Sequence, residues 1–136
     1  MKSLKGDEMK TADSVTRVLV VDDCAEATST LAWILSRSGF HVAEANSADE
    51  ALRQAERFEP DTVLLDLSLG DKISGLDVAR ELTRHGVKRP RIAAVTGWSS
   101  DGHRQQAAQA GCHAFFVKPV GIRELGAFIR GTCDGS

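Results

Sequence analysis

The sequence predicts one α/β domain, a doubly wound five-stranded parallel sheet with helices on both faces. Strand-like and helix-like segments alternate five times between Arg17 and Arg130. Four of the five strand-like runs are almost continuously apolar, as expected where helices cover both faces of a parallel sheet. Four runs also end in polar side chains: Asp22 with Asp23, then Asp66, Thr96 and Lys118. In an open parallel sheet the carboxyl ends of the strands border the ligand crevice, so these groups are predicted to meet.

The first strand is read over Arg17 to Val21. The helix after it carries Leu31, Ile34 and Leu35 on one stripe, Trp33 as a further packing residue, and Gly39 as its stop. The second strand, His41 to Ala45, alternates polar and apolar residues and is placed nearer a sheet edge. Ser47 with Glu50 three residues later is a capping box that opens the second helix. Thr62 to Leu65 is the third strand. Leu76, Ala79 and Leu82 line one face of the third helix, and Gly86 ends it. Arg91 to Val95 is the fourth strand, followed by a notably polar helix that Ala107 and Ala110 mark and Gly111 closes. Ala114 to Val117 is the fifth strand, and Ile122, Leu125 and Ile129 mark the last helix. Residues 1–16 mix Lys, Asp, Glu, Ser and Thr and read as a flexible leader; residues 17–131 form the domain and 132–136 a short tail.

Composition narrows the function. At 136 residues, 42% apolar and 26% charged, the chain is long enough for a real core and has a soluble globular balance. A net charge of −2 gives no general electrostatic draw to nucleic acid or anionic membrane. No apolar run approaches the ~20 residues that span a bilayer, and the first residues are too polar for a signal peptide. The cytoplasm is the expected compartment. Cys24, Cys112 and Cys133 are odd in number and far apart, which points to reduced thiols rather than a disulfide framework or zinc site. His41, His85, His103 and His113 lack metal-ligand spacing and are assigned to surface or turn positions. Arg80, Arg84, Lys88, Arg89 and Arg91 read as a solvated basic face.

The strand-end groups have a chemistry in common. Adjacent carboxylates at Asp22 and Asp23 repel unless something positive sits near them, and carboxylate oxygens suit Mg²⁺. Either residue can alternatively cap the following helix. Asp66 can be a cap, a metal ligand or a nucleophile, since carboxylates accept phosphoryl groups as aspartyl-phosphates. Phosphoryl transfer chiefly needs positioning and charge neutralisation, which Mg²⁺ and the compact ammonium of Lys118 supply. Thr96 offers a hydroxyl donor to a phosphoryl oxygen.

With these residues in order, the chain resembles the receiver domains of two-component response regulators, over about Arg17 to Arg130. Val-Asp-Asp (21–23), Leu-Leu-Asp (64–66), Gly75, Val-Thr-Gly (95–97) and Phe-Phe-Val-Lys-Pro (115–119) carry the resemblance. It implies a flavodoxin-like fold with strand order 2-1-3-4-5. It implies that Asp66 is the phosphoacceptor, and that Asp23 binds Mg²⁺ directly with Asp22 acting largely through water. The Ser68 backbone carbonyl would complete the protein ligands, and Thr96 and Lys118 would hold phosphoryl oxygens. Phe115 occupies the switch-aromatic position. Pro119 follows the lysine as in the family, where that bond is typically cis, although an X–Pro bond read from sequence alone is cis in only ~5% of cases.

The resemblance further implies a sensor histidine kinase or histidine phosphotransferase as donor, and an unknown downstream protein as recipient of the signal. The expected molecule is a stand-alone switch that catalyses only its own phosphorylation and dephosphorylation, with no direct DNA binding and no membrane partner. A degenerate receiver serving as a scaffold and a phosphorelay shuttle are the alternatives. Two departures stand out. The loop after Asp66, Leu67 to Ser74, lacks the family's usual proline and places Gly75 one position late. Trp98 sits two positions past Thr96, where its bulk is expected to restrict water near the phosphoryl group.

Overall fold

The computed structural model describes residues 15–69, 74–84, 90–97 and 101–131. The leader up to residue 14, loop residues 70–73, His85, the Gly86 stop, Lys88, Arg89, Trp98 and the tail from 132 lie outside the described residues. Five strands and five helices alternate: β1 (Arg17–Val21), α1 (Ala25–Arg37), β2 (His41–Ala45), α2 (Ala48–Phe58), β3 (Thr62–Asp66), α3 (Gly75–Arg84), β4 (Arg91–Thr96), α4 (Asp101–Gln109), β5 (Ala114–Val117) and α5 (Ile122–Arg130). All strand pairs are parallel, in the order β2-β1-β3-β4-β5. Both the fold class and the strand order agree with the expectation.

Strand pleating divides the apolar runs into two cores. Successive side chains point to opposite faces, so Leu19, Val21, Val63, Leu65 and Ile92 meet Ala48 and Ala51 of α2, Val78, Ala79 and Leu82 of α3, and Ala110 just past α4. Val18, Val20, Leu64 and Ala93 pack on the other face against Leu35 of α1 and Leu125, Phe128 and Ile129 of α5. This two-sided covering is why β1, β3 and β4 read as unbroken apolar runs.

The edges behave differently. β2 lies at one edge, as its alternation predicts. β5 lies at the other; Ala114 to Phe116 are only half-buried and Val117 is exposed, so its apolar run does not mark a strand covered on both faces. Its aromatic residues instead find single partners. Phe116 meets Phe128 edge-on at 6.1 Å, and Arg104 lies 4.8 Å from the Phe115 ring centre.

Helix ends follow the local chemistry. Ser47 caps α2 by accepting from the Glu50 N–H at 3.1 Å, but Glu50 returns its bond to the N–H of Asn46 at 2.7 Å, one residue earlier than a capping box requires. Gly39 follows α1 with a φ of 100°, and Gly111 closes α4 at 105°, both in the left-handed region that glycine enters without strain. Trp33 is a correction. Thr28, Ala32 and Leu35 form the buried stripe of α1, and Trp33, one position past Ala32, projects outward with 63% of its surface exposed. Arg37, one turn on, stacks over its ring at 5.0 Å.

Candidate functional site

Parallel register brings the predicted groups to one edge of the sheet. Val21 pairs with Leu65, Asp66 with Val95, and Thr96 with Val117. Asp22 and Lys118, each one residue past its strand, therefore stand beside Asp66 and Thr96 at the carboxyl ends. Lys118 Nζ donates to Asp22 Oδ2 at 2.9 Å and to Asp66 Oδ2 at 3.2 Å. The second oxygen of each carboxylate accepts a backbone N–H two residues on: Cys24 to Asp22 Oδ1 at 3.0 Å, and Ser68 to Asp66 Oδ1 at 2.8 Å. Both turns are Asx-type, which aims the carboxylates by local backbone geometry.

The electrostatics follow from this sharing. Burial opposes ionisation of Asp22, yet the bonds from Lys118 and the Cys24 N–H outweigh it and hold its carboxyl below the usual carboxylate range. Burial is the largest influence on Asp66 and raises it above the ordinary value, despite the Ser68 N–H and Lys118. Burial works against the Lys118 ammonium, but its bonds to Asp22 and Asp66 raise it above its ordinary value. One ammonium thus compensates two buried carboxylates.

Asp23 is exposed and completes an acidic set. Asp22, Asp23 and Asp66 each offer an oxygen, and these atoms lie within 4.8 Å of one another. An all-oxygen carboxylate set fits a hard divalent cation rather than a soft one. Thr96 supplies a further sign of an intended occupant. It is fully buried, and its Oγ1 has no hydrogen-bond partner among the described residues. Leaving a buried hydroxyl unsatisfied costs about 1–3 kcal/mol. The Thr96 backbone is meanwhile fixed, because its carbonyl accepts the Lys118 N–H at 2.7 Å.

Gly75 explains itself in the fold. A Cβ at this position would lie 2.7 Å from the Asp66 carbonyl oxygen and 2.7 Å from Leu67 Cα. The first turn of α3 therefore rests directly on the backbone that carries Asp66. The Lys118–Pro119 peptide bond, whose isomer the sequence leaves open, is cis.

The sequence profile of the response regulator receiver domain matches residues 18–130. The chain belongs to this family. The receiver is 31% identical over 114 residues to the alkaline phosphatase synthesis transcriptional regulatory protein PhoP of Bacillus subtilis, covering 84% of this chain and 47% of that protein. It is 34% identical over 122 residues to the transcriptional regulatory protein PrrA of Mycobacterium leprae, covering 90% of this chain and 52% of that one. The chain thus spans about half the length of these curated relatives. Among solved structures it resembles a CheY-like receiver domain protein of Methanospirillum hungatei, with TM-score 0.79, 28% identity, and coverage of 90% of this chain and 96% of that one. A response regulator of Burkholderia pseudomallei, solved with a phosphorylated aspartic acid, a calcium ion and citrate, gives TM-score 0.76 and 32% identity over 82% of this chain and 65% of that one.

Within the receiver, the structure brings together Asp22, Asp66 and Lys118 by direct bonds, with Asp23 within ligand reach and the Ser68 N–H on Asp66. Thr96 ends the strand beside β3, and Phe115 lies on β5 under Arg104. No helix among the described residues is long and apolar enough to cross a membrane. Sequence reasoning missed Asn46, whose side-chain amide donates to the Asp22 carbonyl at 2.8 Å. Its only sequence signal is a polar residue between a strand end and a helix cap. Arg104 was also missed, since one arginine in a polar helix reads as solvated.

Proposed function

We propose that this receiver accepts a phosphoryl group on Asp66 from a phosphohistidine, on a sensor kinase or a histidine phosphotransferase, and thereby changes its affinity for a downstream protein. The carrying observation is the Lys118 ammonium held between Asp22 and Asp66, beside a buried Thr96 hydroxyl that has no partner among the described residues. The Asp66 carboxylate attacks phosphorus; a P–O bond forms as the P–N bond breaks, and the histidine nitrogen keeps the electron pair. Mg²⁺, when held by Asp22, Asp23, Asp66 and the Ser68 carbonyl, would neutralise phosphoryl charge. The Ser68 N–H holds Asp66 Oδ1, which directs the acceptor carboxylate. Lys118 can pass from Asp66 to the incoming phosphoryl oxygens without losing Asp22, and Thr96 Oγ1 gains an acceptor.

Hydrogen bonding of Thr96 to the phosphoryl group would alter packing next to Phe115. That ring is half-buried and covered by Arg104 from α4, so the signal would emerge on the face of α4, β5 and α5. At a net charge of −2 the chain as a whole has no general electrostatic draw to DNA, which supports a protein as the partner. Incubation with Mg²⁺ and a small acyl-phosphate donor, followed by intact-mass measurement, tests the reading. One phosphoryl adduct in the wild type and none in Asp66→Asn supports it. No adduct with any acyl-phosphate or kinase donor refutes it and leaves the scaffold alternative.

A further inference from the structure

Asn46 stands between β2 and the cap of α2, and its side chain reaches across to the acidic turn after β1. Its Nδ2 donates to the Asp22 carbonyl at 2.8 Å and to Thr28 Oγ1 at 3.0 Å. This orientation is forced by the partners. A carbonyl only accepts, and the Thr28 hydroxyl commits its own proton to the Ala25 carbonyl at 3.0 Å. Both amide protons of Asn46 are therefore used. The Asp22 N–H donates to the Ala45 carbonyl at 3.1 Å, so the end of β2 grips the Asp22 backbone at both of its polar groups. Asn46 is itself anchored, because its backbone N–H donates to Glu50 Oε1 at 2.7 Å. The cap of α2 thus holds Asn46, and Asn46 holds the Asp22–Asp23 peptide.

We infer that Asn46 is a positioning residue of the acidic turn: it fixes the peptide joining Asp22 and Asp23, and so presets both carboxylates for a divalent cation. This rests on the Mg²⁺-dependent reading above. The peptide unit is planar, so holding its carbonyl fixes the direction in which the chain enters Asp23. Only a short amide meets both acceptors at once. Aspartate has the same shape but donates no proton when ionised, and it would face the Asp22 carbonyl with a negative charge.

Asn46→Asp consequently separates two effects by sign. Added negative charge near the acidic set would by itself strengthen cation binding, whereas loss of the amide's hold would weaken it. The test titrates Mg²⁺ alone into the full chain by calorimetry, for the wild type, Asn46→Asp and Asn46→Ala, with melting curves recorded without metal. Each variant is expected to bind Mg²⁺ about ten-fold or more weakly, the loss typical when the support of a metal ligand is removed. Asn46→Asp should do so despite its extra charge. Lower melting with wild-type or tighter Mg²⁺ affinity would make Asn46 purely structural and overturn the inference. Should Asn46→Asp fail to fold, Asn46→Ala still sets Mg²⁺ affinity against melting, without the added charge: weaker Mg²⁺ binding supports the inference, and wild-type affinity overturns it. A wild type that takes up no Mg²⁺ overturns the metal-dependent reading, and the inference falls with it. Normal wild-type uptake with unchanged variants overturns the inference alone.

Discussion

Gly75→Ala places one methyl group where the fold has no room for it. The new Cβ would sit 2.7 Å from the Asp66 carbonyl oxygen and 2.7 Å from Leu67 Cα, both backbone atoms without a rotamer to yield. Carbon atoms pack at about 3.5 Å or more, so the helix and the strand end must part by roughly 0.8 Å. α3 resists, since Val78, Ala79 and Leu82 are buried in the core. Overpacking of this kind costs about 1–3 kcal/mol, and the stiffer unfolded chain returns about 0.4–1 kcal/mol. A net loss of about 1–2 kcal/mol corresponds to melting roughly 3–10 °C lower for a domain of this size. The displaced backbone also carries Asp66, and errors approaching 1 Å in a reacting group cost about 100-fold. Phosphorylation by a small acyl phosphate should therefore slow about 10- to 100-fold in protein that remains folded. Thermal melting and the initial rate of adduct formation by intact mass measure the two effects. Wild-type melting together with a wild-type rate would refute the claim that α3 rests on the backbone that carries Asp66.

Two further outcomes follow from the same geometry. Lys118→Met removes the ammonium from two carboxylates while leaving the acidic set in place; phosphorylation should fall about 100-fold or more, the loss typical of a charge-stabilising group. Mg²⁺ affinity should hold or rise, because Lys118 no longer competes for Asp22 and Asp66; parallel loss of metal binding in calorimetry would contradict that division of roles. Burial pushes the Cys112 thiol from its ordinary 9.0 to about 11. Only thiolate reacts, so at pH 8 folded Cys112 should alkylate about 100-fold more slowly than the same residue in unfolded protein, and the gap should close as pH rises toward that value. Mass-resolved iodoacetamide labelling checks this, and equal rates in folded and unfolded protein at pH 8 would disprove it.

The architecture was legible because β1, β3 and β4 are covered on both faces, and such burial leaves unbroken apolar runs. The same signal misled at β5, where Phe115 and Phe116 keep an edge strand apolar without enclosing it. Trp33 misled for a related reason: residue type suggests burial, while the Thr28, Ala32, Leu35 stripe decides which face of α1 turns inward. The strand-end Asp22, Asp66, Thr96 and Lys118 could be read because parallel register forces them to one edge. Asn46 could not, since its role depends on a contact between two turns that neither turn encodes alone. Glu50 was read as a cap, but its bond goes to Asn46, a shift of one residue that sequence spacing cannot distinguish. Gly75 marked the motif; its reason, the close approach to Asp66, exists only in three dimensions.

Borohydride reduction of the phosphorylated protein tests the central claim most directly, because it converts an aspartyl-phosphate to homoserine at the modified position. After treatment with Mg²⁺ and acyl phosphate, peptide mapping should find homoserine at position 66 and nowhere else. Conversion at Asp22 or Asp23 instead, or a phosphoryl adduct that borohydride leaves unchanged, would contradict Asp66 as the acceptor.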